Sequence, residues 1–175
     1  MAKVINNLTT LYNPITPLPK RIYVFLIPLP KTIVGGGGKF IPLKGLSVEG
    51  SSDRMTEIRT IEIILHELIH FYFEKTYREK VDQFIKENTS KAEQYQLLKS
   101  LNIPSVAFGI KEITATSLTI KPVFMSETAS LYQKLLIYTS QKLQPSINHY
   151  LKTKKPLDEN FIKEILKLWK LYLKK

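Results

Sequence analysis

A chain of 175 residues, 43% hydrophobic and 23% charged, has the make-up of one ordered globular domain with a core of its own, which excludes a disordered or fibrous protein. It contains no cysteine, which rules out a disulfide framework and a thiolate metal site, so any metal must depend on histidine and carboxylate. The net charge of +11 would suit nucleic acid or an anionic surface, but the lysines are scattered, without an arginine-rich cluster or interleaved aromatic and basic residues. A lysine- and isoleucine-rich chain also fits a heat-adapted intracellular protein, and we favour that reading over nucleic acid as a partner.

Residues 1–20 carry Pro14, Pro17 and Pro19 and are expected to form an extended, irregular arm. No signal peptide is visible, and the apolar run 22–27 is too short and too far in to serve as one. No stretch reaches the length of a membrane span, so the expectation is a soluble, cytoplasmic protein. Residues 21–27 (RIYVFLI) are β-branched and aromatic and are bounded by Pro28 and Pro30, which predicts a strand that ends at an edge or a bend. Residues 31–34 and 39–43 read as two further strands around Gly35–Gly38, a mobile hairpin connection. The GGGGK run is not a phosphate loop, because Ile33 stands where that pattern needs glycine and Phe40 where it needs a hydroxyl.

Ser51, Ser52 and Asp53 are candidate caps for a helix from about residue 54 to the mid-seventies, with Met55, Ile58, Ile61, Leu65, Leu68 and Tyr72 at helical spacing. This helix carries HELIH at residues 66–70. Positions four apart share a helix face, so His66 and His70 present their rings to one point and can fill two corners of a zinc tetrahedron. Glu67, one step round, can reach a water on the open side of the metal. Glu62, His66, His70 and Glu74 form an i, i+4 line flanked by Arg59 and Glu67, a polar stripe on an otherwise apolar helix. Unpartnered polar groups there would be costly, and a cation is a natural partner; the bland alternative is two core histidines bonded to their neighbours.

Helical patterns continue over residues 77–86 and 91–101, broken at Asn88-Thr89-Ser90. Residues 105–120 are predicted helical despite their β-branched content, and Pro122 closes them. Ser126 is expected to cap a helix through Leu143, with Leu131, Leu135 and Tyr138 inward, and Pro145 to begin a connection that contains His149. In the tail, Leu157 before a cap at Asp158 can staple onto Ile162, and Phe161, Ile165, Leu168, Trp169 and Tyr172 share one face that should close the core.

HExxH resembles the zinc metallopeptidases of the zincin superfamily. A downstream glutamate in an E-x-x-A or E-x-x-S setting resembles the gluzincin branch, and two are available: Glu112 in Glu112-Ile113-Thr114-Ala115, and Glu127 in Glu127-Thr128-Ala129-Ser130. Glu112 lies among apolar neighbours, as a buried ligand should, whereas Glu127 follows a cap where an acidic residue is favoured anyway. The aspartate that follows the small residue in many gluzincins is replaced by Thr116 or Leu131, and the metzincin extension is absent, with Phe73 and Thr76 at its glycine and histidine. The resemblance implies an α+β, zincin-like fold: a single domain, strand-rich over 1–50 and helical over 51–175, with a small N-terminal sheet before the active-site helix.

It implies Zn2+ held by His66, His70 and Glu112, with Glu127 and His149 as alternative third ligands, the latter resembling the SprT-like branch. Glu67 would be the general base, and His149, Tyr132, Tyr138 or Tyr150 the oxyanion donor. A peptide or protein would be the substrate. A catalytically inactive zincin-like binding module and a nucleic-acid-associated basic protein are the competing functions.

Overall fold

A computed structural model of the chain describes residues 2–13, 23–28, 38–41, 45–50, 57–119 and 130–174. Among these the protein is α+β and mostly helical, with one three-stranded sheet. No helix among the described residues is long and apolar enough to cross a membrane.

The chain opens with a helix, α1 (Ala2–Tyr12), where an irregular arm was expected. Leu8, Leu11 and Tyr12 recur at helical spacing and are buried, and the first proline comes only at Pro14, after Asn13 has turned to a positive φ of 42°. Proline content in the second half of this stretch hid a periodic first half. The expected strand follows as β1 (Val24–Pro28), then β2 (Gly38–Ile41) and β3 (Gly45–Gly50). The order is β1-β3-β2, with β1 parallel and β2 antiparallel to β3. β2 therefore pairs with a strand that follows it, and the expected partner at 31–34, like residues 35–37 of the glycine run, lies outside the described residues. Leu46 and Val48, two apart on β3, point to one face and are fully buried against Ile63.

The motif helix, α2 (Glu57–Tyr72), runs between this sheet and the helical body. Ile63 meets the sheet, Leu68, Ile69 and Tyr72 face the main core, and Ile64 touches both clusters. The expected caps at residues 51–53 lie outside the described residues. A π-helical turn, Phe73–Tyr77, carries α2 into α3 (Arg78–Asn88). Ser90 and Glu93 form a capping box that starts α4 (Lys91–Leu101), and Asn102 ends it in the left-handed conformation. Ser105 caps α5 (Val106–Leu118), so the β-branched run is helical as expected. Burial decides this: Val106, Ile110 and Ile113 all face the core, and tertiary packing outweighs a propensity deficit of a few tenths of a kcal/mol per residue.

Helix α6 (Leu131–Thr153) differs from expectation at both ends. Its cap is Ser130, boxed with Gln133, while Ser126 lies outside the described residues. Pro145 does not end it. The proline and Gln141, whose carbonyl it leaves without an amide partner, are both exposed, so water can satisfy that carbonyl and packing on α5 and α7 holds the rest. Asp158 then caps α7 (Glu159–Leu173), which buries Phe161, Ile162, Ile165 and Trp169 completely. At about 1.5–3 kcal/mol for each large apolar side chain, this terminal helix is a main contributor to the core, as its amphipathic pattern predicts. Trp169 packs against α5 at Gly109, where an added Cβ would strike the indole.

Candidate metal centre

On α2, His66 and His70 stack one turn apart, with ring centroids 4.4 Å from each other. Facing them from α5 is Glu112. Its Oε2 lies 3.4 Å from His66 Nε2 and its Oε1 3.2 Å from His70 Nε2, so one carboxylate spans both imidazoles through the same ring nitrogen. Glu67 Oε2 sits 3.5 Å from the opposite nitrogen of His70, Nδ1. One ligand atom each from His66, Glu67 and His70 lie within 4.8 Å of one another. Proximity thus groups Glu67 with the histidines, while Glu112 approaches both rings from the Nε2 side. The four side chains are between 12% and 27% exposed, partly withdrawn from water.

The electrostatics follow from this geometry. Burial would lower the pKa of His70, but hydrogen bonding and charge from Glu112 and Glu67 outweigh it and raise the group to about 9. Burial would raise Glu112, but the two histidines hold it down at about 2. The metal-free cluster is therefore a partly buried imidazolium paired with a carboxylate.

Do these residues fit a zinc ion? His70 Nε2 is a buried nitrogen whose approach to Glu112 Oε1 at 3.2 Å is an ion pair, with no formal hydrogen bond to it among the described residues. Two imidazoles and a carboxylate that reaches both of them, with Glu67 beside them, supply the donor types of a catalytic zinc site. The residues fit.

The remaining candidates separate clearly. Tyr132, at the start of α6, feels the charge of Glu112, and its hydroxyl is buried with no hydrogen-bond partner among the described residues. Tyr150 instead donates to Asp158 Oδ1, and Tyr138 packs on Tyr172 with ring centroids 5.0 Å apart. His149 is exposed on the distal half of α6 with its ring against Tyr150. From Tyr132 to His149 the helix runs roughly 25 Å, so continuity of α6 through Pro145 keeps His149 away from the cluster as ligand or as oxyanion donor. Glu127 and the Arg59 side chain lie outside the described residues.

Glu74 does not orient a histidine. It pairs with Lys111 Nζ at 3.2 Å and Arg78 Nη1 at 3.5 Å. Lys111 is the residue that sequence reasoning missed; its signal was its place directly before Glu112, opposite a carboxylate in line with the two histidines.

Comparison of the chain with protein-family models, with curated proteins and with solved structures finds no match.

Proposed function

We propose that this protein is a zinc metallopeptidase, zincin-like in fold and gluzincin-like in its ligands, that hydrolyses peptide bonds of a peptide or protein substrate. The observation that carries the reading is the convergence of His66 Nε2 and His70 Nε2 on the carboxylate of Glu112. His66, His70 and Glu112 would hold the metal, three protein ligands with a fourth position left for chemistry. A mixed sheet, then the HExxH helix, then a helix bearing the glutamate is the order that the gluzincin resemblance leads one to expect.

A zinc ion held by these residues would supply Lewis acidity for hydrolysis near neutral pH. The Glu67 carboxylate accepts the proton of the attacking water and delivers it to the departing amine. Tyr132, a buried donor lacking an acceptor, supplies a hydrogen bond to the oxyanion. Strand β2, an edge among the described residues and packed on α2, offers unpaired backbone groups to an extended substrate.

The test is cleavage of an unfolded protein by wild type, by chelator-stripped protein, and by stripped protein given one equivalent of zinc. Cleavage lost on stripping and regained with zinc supports the assignment. Zinc retained without hydrolysis of any unfolded protein would make the fold a binding module instead.

A further inference from the structure

We infer that Lys111 and Glu74 are a positioning pair that sets the Glu112 carboxylate against His66 and His70, an inference that rests on reading those three residues as a metal site. Glu74 lies in the π-helical turn four residues beyond His70 and extends the line of the two histidines by one more turn. Lys111 immediately precedes Glu112 on α5. Two adjacent residues of α5 therefore meet successive positions of one stripe: Glu112 on the imidazoles, and Lys111 Nζ on Glu74 Oε1 at 3.2 Å.

A single contact between two helices leaves each free to roll about its axis and to slide along the other. Two contacts from neighbours about 100° apart around a helix restrict both motions. Neither end of the pair is loose. Lys111 Nζ sits 5.4 Å from the centroid of the Phe108 ring, a cation–π contact from its own helix. Glu74 is held by Arg78, whose Nε bonds Asp82 Oδ2 at 2.7 Å, so a charge relay runs from α3 through the π-turn to α5. The Lys111 side chain is 17% exposed, against 42% for Glu74, so the lysine is the more covered member of the pair. An isolated π-turn is uncommon and tends to mark functional positions; this one begins three residues after His70 and carries Glu74. Ion pairs of this exposure add little to global stability, so the consequence falls on ligand placement.

The experiment is chelator competition for zinc on the full chain, comparing wild type, Lys111→Met, Lys111→Arg and Glu74→Gln, with the thermal midpoint of each metal-free protein measured alongside. Lys111→Met and Glu74→Gln should bind zinc about 10–100-fold more weakly. Their metal-free midpoints should fall by no more than about 2 °C. Lys111→Arg, which keeps the charge, should bind close to wild type. The inference is overturned if Lys111→Met and Glu74→Gln bind zinc as wild type does, if arginine fails to rescue, or if affinity drops only in step with metal-free stability. Wild type that binds zinc beside unaffected variants removes the positioning pair alone. Wild type that binds none removes the metal site and this inference together.

Discussion

Glu112 and His70 face each other across two helices, carboxylate Oε1 to imidazole Nε2 at 3.2 Å, and His66 approaches the other oxygen of the same carboxylate. Three helical segments, the π-turn, α3 and α4, separate the motif helix from the helix of this glutamate, so their meeting is a product of the fold and not of local sequence. Each of the other assignments takes its position from that junction.

Glu67 approaches the opposite side of His70 from Glu112, an arrangement that in the proposed site would separate holding the metal from moving the proton. Glu67→Gln should therefore bind zinc within a few-fold of wild type while peptide hydrolysis falls by about 10²–10⁴-fold. Single-turnover cleavage with zinc-loaded variant checks this. Unchanged cleavage would assign the base elsewhere.

Tyr132→Phe removes one buried hydroxyl that feels the charge of Glu112. The expected loss is about 10²-fold in kcat with KM nearly constant, because the donor acts on charge that develops only in the transition state. His149→Ala, on the exposed distal half of α6, should change neither parameter. Steady-state kinetics on the two variants distinguish these positions, and equal effects would contradict the geometry.

The metal-free protein should have a stability plateau bounded by two titrations. Glu112 falls from an ordinary 4.5 to about 2 on folding, so its contribution is complete above 4.5 and is lost as pH drops toward 2. His70 rises from 6.5 to about 9, so its contribution is complete below 6.5 and is lost as pH climbs through 9. Denaturant midpoints of chelator-stripped protein should decline on both flanks. In His70→Gln the alkaline decline should flatten; an unchanged alkaline limb would mean that another group drives it.

Gly109 on α5 lies against Trp169 of α7. Alanine there gains up to about 1 kcal/mol of helix propensity, but its methyl must displace a fully buried indole, at a cost of about 1–3 kcal/mol. Gly109→Ala should be destabilising overall, read as a lower urea midpoint at constant m-value. A higher midpoint would show that Trp169 repacks freely.

Much of this was legible before the fold. The i, i+4 arithmetic of His66 and His70, the apolar setting of Glu112 and the staple and cap at Leu157 and Asp158 are local signals, and local signals survive in a linear reading. Three features were not legible. Helix α1 was masked by the prolines behind it, although Leu8, Leu11 and Tyr12 carry its period. Strand β3 is nearly hidden in sequence, because only Leu46 and Val48 mark its buried face between glycines. Pro145 looked like a stop, because what decides whether a helix survives a proline is whether neighbours pack around it and water reaches the freed carbonyl. Lys111 and Tyr132 stood in view along the chain, the one directly before Glu112 and the other among several candidate tyrosines, but only packing pairs Lys111 with Glu74 and sets Tyr132 apart from Tyr138 and Tyr150.

The most direct measurement is zinc stoichiometry and affinity of the full chain by equilibrium dialysis, with wild type beside Glu112→Ala. One zinc per wild-type chain, and binding at least about 100-fold weaker once the carboxylate is gone, is the predicted result. Wild type without stoichiometric zinc, or Glu112→Ala that holds the ion as tightly as wild type, would contradict the assignment of His66, His70 and Glu112 as its ligands.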